Sequence, residues 1–253
     1  MRMALRAGLL LLILLMSGCA QHSGRGRKID PAESHYIRGT SYLRKNDPSQ
    51  ALREFAKAEK AAPWRADVQG AMGQAYQQKK AYDRAEKHYL RALKLSSGDP
   101  VVRSNLGVLY LDMRAWDKAL DAFQKASDDS RFDNPEMALT GLGVAWWRKG
   151  DREKAGSCFL QAIEMRGDCA PAYFYMGEIH RENGNLAEAK ANYRQALELV
   201  PQYMAAWRGL GLVYAAEGNV GTARGIFSRI VEDIPGTEMA EECRRMLRSL
   251  PKK

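Results

Sequence analysis

Cysteine is scarce, four in 253 residues, too few for the disulfide framework that replaces a core in small secreted domains. Histidine is as rare, at four. The sequence has no C-x-x-C, no H-E-x-x-H, no G-x-x-x-x-G-K-[ST] and no G-x-S-x-G. The usual spacings for zinc, a phosphate loop or an activated serine are therefore missing. Only one long hydrophobic run exists, close to the start, which excludes a polytopic membrane protein. Acidic residues are in deficit, 30 against 39 Lys and Arg, for a formal charge of +9. That balance points toward nucleic acid or an anionic surface, and charge alone does not choose between them. Apolar residues are plentiful at 45%, which excludes a wholly disordered chain. The length accommodates one large or two ordinary domains.

The lone apolar run, Ala7 to Ser17, follows the cations Arg2 and Arg6 and is 11 residues long. As a helix it covers only about half of a ~30 Å hydrocarbon core, so it suits a signal peptide better than a span. It ends in Met16-Ser17-Gly18-Cys19. This resembles a bacterial lipobox, with Met16 where that motif usually has Leu, and it implies a signal peptide over 1–18 and lipidation at Cys19. Ordinary cleavage near Gly18-Cys19-Ala20 and a buried apolar helix are the alternatives. Ala20, in place of Asp, implies an outer-membrane destination facing the periplasm. Residues 19–31 are rich in Gly, Ser and basic residues, lack apolar periodicity and read as a tether.

Beyond the tether the sequence repeats. Glycines fall at 39, 73, 107, 143, 177 and 211, spaced 34, 34, 36, 34 and 34 residues apart. Three residues after each stand Tyr42, Tyr76, Tyr110, Trp146, His180 and Tyr214; twelve after, Ala51, Ala85, Ala119, Ala155, Ala189 and Ala223. Sixteen after come Phe55, Tyr89, Phe123, Phe159, Tyr193 and Phe227; nineteen after, Ala58, Ala92, Ala126, Ala162, Ala196 and Ile230. This pattern resembles the tetratricopeptide repeat. It predicts an all-α, right-handed superhelical solenoid of six units over 32–237, divided 32–65, 66–99, 100–135, 136–169, 170–203 and 204–237. Gly and Ala are expected where the two helices of a unit cross, because only small residues allow close approach. Asn46-Asp47-Pro48, Gly150, Gly184 and Gly218 mark turns. Residues 238–253 read as a capping helix and tail, with Thr237 as N-cap and Met239, Met246, Leu247 and Leu250 as its apolar stripe.

No catalytic constellation emerges, and the protein reads as a non-enzyme with no cofactor, no metal and no small-molecule substrate. Cys158 falls mid-helix and Cys169 beyond that helix, so their separation exceeds the ~7 Å reach of a bridge. Cys243 lies about two repeats away. Three unpaired, mainly buried thiols are expected, and their odd number leaves room for a reactive one. The repeat resemblance places a partner-binding groove on the first helix of each unit. Its candidate residues are Tyr36, Leu43, Val108, Leu111, Trp147 and Phe174. The Lys/Asn/Arg pattern of chaperone-tail clamps is absent, so the groove suits an apolar or extended segment. Trp147 either lines it or packs on a neighbouring unit. Nucleic acid is disfavoured by the envelope compartment.

A lipobox, six repeats and a third unit lengthened through Ala126-Ser127-Asp128-Asp129 to Pro135-Glu136 together resemble the pilotin lipoproteins of type IV pilus machines. That resemblance implies a protein that binds secretin subunits and promotes their arrival and assembly at the outer membrane. The alternative is a repeat adaptor for barrel assembly, peptidoglycan enzymes or polysaccharide export.

Overall fold

The computed structural model describes residues 30–251. The expected signal peptide, Cys19 and most of the tether lie outside the described residues. Within them are thirteen α-helices and no strand. Six hairpins follow one another: α1 (Pro31–Arg44) with α2 (Pro48–Ala61), α3 (Ala66–Gln78) with α4 (Tyr82–Leu95), and α5 (Pro100–Asp112) with α6 (Trp116–Ser127). Then come α7 (Pro135–Lys149) with α8 (Arg152–Met165), α9 (Ala170–Glu182) with α10 (Leu186–Leu199), and α11 (Met204–Ala216) with α12 (Val220–Asp233). A last helix, α13 (Glu238–Ser249), closes the array.

The repeated residues are the core. All six alanines of the Ala51 series have no exposed surface, and the six aromatics of the Phe55 series are 2% exposed or less. The hairpins close because each repeat glycine has no side chain. A Cβ at Gly39, Gly73, Gly107, Gly143, Gly177 or Gly211 would lie less than 3 Å from the ring of its own unit's aromatic. Any larger residue would push the two helices apart.

Local signals set the helix ends. Asp30, Asp47, Asp99 and Asp151 accept backbone N–H bonds at the starts of α1, α2, α5 and α8, and Asn219 does so for α12. Proline occupies the first turn of α1, α2, α5, α7 and α9, where no N–H partner is lost. The turn inside each hairpin has one residue of positive φ, seven after the repeat glycine. These are Asn46, Lys80, Arg114, Gly150, Gly184 and Gly218. The sequence pattern marks four of these turns, and Lys80 and Arg114 have no such signal.

Linkers between hairpins are four residues long except between α6 and α7, where residues 128–134 intervene. There Asp129 accepts from Arg131 Nε at 2.9 Å and Nη2 at 2.6 Å, and Phe132 packs against the core around Phe123. The extra length lets α7 start early, and α7 reaches 15 residues. Its Gly141 seats the far side of the Phe123 ring, so Phe123 lies between Gly107 and Gly141. At the C-terminus, α13 lays Met239, Met246, Leu247 and Leu250 over Ala223, Phe227 and Ile230, and Thr237 Oγ1 caps Ala240 N at 3.2 Å.

Candidate functional site

Curvature decides which face can grip a partner. α1 touches α3, and the contact continues through α5, α7, α9 and α11, while no pair of second helices is in comparable contact. The first helices therefore line the inside of the curve. Polar and aromatic ties cross between them. Gln77 Nε2 donates to Asp112 Oδ2 at 2.7 Å, and Trp147 Nε1 donates to Glu182 Oε2 at 3.1 Å. Arg208 Nη1 reaches Glu242 Oε2 on α13 at 2.6 Å.

The six groove candidates divide. Val108 is open, 44% exposed, beside Gln74, Gln77, Gln78, Asn105 and Asp112 in a cavity of about 280 Å³. Trp147 is half-buried, its ring 5.8 Å from Tyr175 and under the Arg148 guanidinium at 4.9 Å. It both lines the inner face and packs on the next unit. Tyr36 is half-buried, tilted against Phe55 at 6.1 Å, with Arg65 over its face at 5.1 Å. Burial pushes its phenol pKa up.

The other three turn inward. Leu111 is partly buried between the cores of two successive units. Leu43 and Phe174, read as groove residues, are each only 7% exposed and belong to the core. The cause is geometric. A residue four after the repeat glycine points along the seam toward the next first helix, as Gln77 and Trp147 do with their polar ties. A leucine there, Leu43, sinks into that seam beside Ala71, Met72 and Ala75. Phe174 is held by Tyr175, Tyr193 and Tyr203, at ring distances of 5.0, 6.1 and 5.2 Å.

Tyr175, which the pattern did not single out, is central to this face. It stacks on Phe159 at 5.3 Å and meets both Trp147 and Phe174. Its signal is positional. Two residues before the repeat glycine the other units have Ile37, Ala71, Asn105, Gly141 and Gly209, so a tyrosine stands here where no other unit has an aromatic.

The fifth and sixth units are electrostatically organised. Glu178, 5% exposed, accepts from Arg181 Nη2 at 2.8 Å and from the Tyr193 hydroxyl. Burial and the Glu178 carboxylate hold the Tyr193 phenol protonated. Desolvation disfavours the charged Arg181, yet its bond to Glu178 prevails and raises its pKa. The Nε atoms of Arg181 and Arg208 are buried and have no acceptor. Cys158, Cys169 and Cys243 are all free and buried, with burial raising the thiol pKa of Cys158 and Cys243. Among the described residues no group of three His, Cys, Asp or Glu could hold a metal, and no helix is long and apolar enough to cross a membrane.

A curved stack of helical hairpins with an amide-rich stretch at units two and three and an aromatic stretch at units four and five is a helical-repeat binding scaffold. The chain belongs to the tetratricopeptide repeat family, whose model matches residues 36–100, 104–173, 147–189 and 174–237. No curated protein sequence matches it. Among solved structures it is similar to PilF of Pseudomonas aeruginosa, with 17% identity and a TM-score of 0.67 over 85% of this chain and 97% of that one. It is similar to PilW, a widely conserved type IV pilus biogenesis factor, with 18% identity and a TM-score of 0.69 over 83% and 97%. It also resembles the APC/C hetero-tetramer Cut9–Hcn1, with 21% identity and a TM-score of 0.73 over 89% and 44%. Likeness at these identities shows the fold, and the fold alone does not choose a function.

Proposed function

We propose that this protein is a non-catalytic outer-membrane lipoprotein that binds secretin subunits on the periplasmic side and promotes their assembly in type IV pilus biogenesis. The observation that carries the reading is one of extent. The match takes in 97% of both PilF and PilW but 44% of the chain in the Cut9 complex. The pilus proteins correspond to this array nearly end to end. The lipobox-like Met16-Ser17-Gly18-Cys19 and the lengthened third unit support the same reading.

The physical task fits such a scaffold. An unassembled secretin exposes strand edges that invite aggregation. A solenoid with an amide-rich and aromatic inner face offers hydrogen bonds and stacking to an extended segment. Anchoring by acyl chains at Cys19 raises the local concentration of captured subunits at the membrane.

Deletion of the gene tests the role. The expected outcome is loss of the heat-stable secretin multimer and of surface pili; persistence of both sinks the proposal. For the anchor, Cys19→Ala is expected to remove the protein from the outer-membrane fraction.

A further inference from the structure

Two groups of side chains on the outer side of the first two units are not used by the groove. Trp64, in the loop after α2, is 69% exposed, the most exposed of the large hydrophobic residues described. On α4, Leu90 is 48% exposed and Leu95 39% exposed. Arg91 joins the two groups, with Nη1 on Glu59 at 2.8 Å and Nη2 on the Pro63 carbonyl at 3.4 Å. The Trp64 loop is thus held against the outer face of α4.

Around these apolar tips stand Lys60, Lys87 and Lys94, all exposed and, among the described residues, none ion-paired. Most neighbouring carboxylates are engaged elsewhere; the exception is Asp83, exposed one turn before Lys87, against which Lys60 and Lys94 leave a positive excess. Glu54 holds Lys57, His35 and Arg38, Glu59 holds Arg91, and Glu86 holds Lys118. The surface therefore presents free positive charge and protruding apolar side chains together. A tryptophan with lysines around it matches the amphipathic zone of a bilayer, where the ring sits among headgroups and lysine stems reach past it.

Position points to the same occupant. α1 begins at Pro31, and Arg65, next to Trp64, pairs with Glu33 in the first turn of α1 at 2.6 Å. The patch thus borders the edge where the N-terminal segment enters the fold. Ten residues lie between Cys19 and Asp30, a length that spans at most about 40 Å. A lipid at Cys19 keeps this edge within reach of the headgroups.

We infer that Lys60, Trp64, Lys87, Leu90, Lys94 and Leu95 form a membrane-docking surface for anionic phospholipid, which lays the outer side of units one and two on the bilayer and turns the inner face away from it. This inference rests on the anchored reading above. The lipid chains hold the protein at the membrane, and the patch orients it.

The test uses the full protein as processed in the cell, incubated at low salt with vesicles of phosphatidylglycerol and phosphatidylcholine whose acyl chains are brominated. Part of the tryptophan emission is expected to be quenched, and Trp64→Phe is expected to abolish that part. Lys60→Glu and Lys94→Glu should each weaken the quenching by about fivefold in lipid concentration. Pure phosphatidylcholine should weaken it further. All three positions are exposed, so circular dichroism and the melting temperature of the variants should match the parent.

Equal quenching in the parent and Trp64→Phe overturns the inference, as does no quenching in vesicle-bound protein or no vesicle association at all. Loss of pili in the lysine variants with quenching intact also overturns it, since the patch would then serve a protein partner. The anchor fails separately, through unchanged fractionation of Cys19→Ala.

Discussion

Asn46, Lys80 and Arg114 share a positive φ of 57°, and the same repeat position in the later units holds Gly150, Gly184 and Gly218 at 96°, 80° and 78°. A residue with a Cβ is strained there by about 1–2 kcal/mol, part of which glycine returns as unfolded-state entropy. Lys80→Gly and Arg114→Gly are each expected to raise stability by about 0.5–1 kcal/mol in urea unfolding. Asn46→Gly should gain less, because asparagine tolerates this conformation. Glu54 makes a second prediction. Its carboxylate accepts from Lys57, His35 and Arg38, and the Lys57 bond above all holds its pKa down to about 2. A folded pKa below the unfolded value, about 4.3, stabilises the protein above that unfolded value. That stability is lost as the pH falls toward 2. Glu54→Gln should remove roughly 1 kcal/mol of this acid-sensitive stability after allowance for solvent screening, read as a flatter urea midpoint between pH 5 and pH 2. At this scale the sequence is only partly legible. The repeat pattern assigns Leu43 and Phe174 to a helix face, but whether a side chain on that face meets solvent or the next helix depends on how the units stack. Tyr175 differs from its repeat counterparts in size, and only the seam between units determines what that size does.

Helices and turns are far more legible, because each is set by short-range chemistry. Small residues at crossings and aromatics between helices occur at fixed offsets from each glycine, and Asp or Pro marks the start of several helices. The lengthened third unit is readable as two additional residues, but its consequence is not. The packing of Gly141 under Phe123 is a contact between elements that no local pattern encodes, and Gly209 makes the same contact with Tyr193 after a linker of ordinary length. Gly141→Ala is accordingly expected to cost about 1–3 kcal/mol, by overpacking against the ring. Hydrogen exchange should then show faster exchange at the junction of units three and four than in the parent. The terminal helix offers a complementary test. Thr237→Ala removes the cap of α13 and should cost about 1 kcal/mol. Truncation after Gly236 uncovers Phe227 and Ile230, and light scattering should register self-association.

The whole molecule is a one-dimensional stack, so its properties are sums over neighbours. The inner face changes character along its length, from amides at units two and three to rings at four and five and paired charges at five and six. A single extended partner laid along it would meet these surfaces in order. Mixed substitution supports an experimental check: Gln74→Ala with Asn105→Ala, against Trp147→Ala with Tyr175→Ala, each scored for secretin capture on a common surface. If the partner spans the groove, both pairs should weaken capture, the aromatic pair more strongly, and the losses should be roughly additive because the sites are distant. The first helices meet one another while the second helices stand apart, and this asymmetry has a mechanical consequence. Bending the stack shut compresses packed atoms on the inside, whereas bending it open stretches weaker contacts there and closes gaps on the outside. Such a body behaves as a leaf spring, stiff in one sense and compliant in the other. A load drawn along the groove would flatten the curve and loosen the hold on whatever segment lies there.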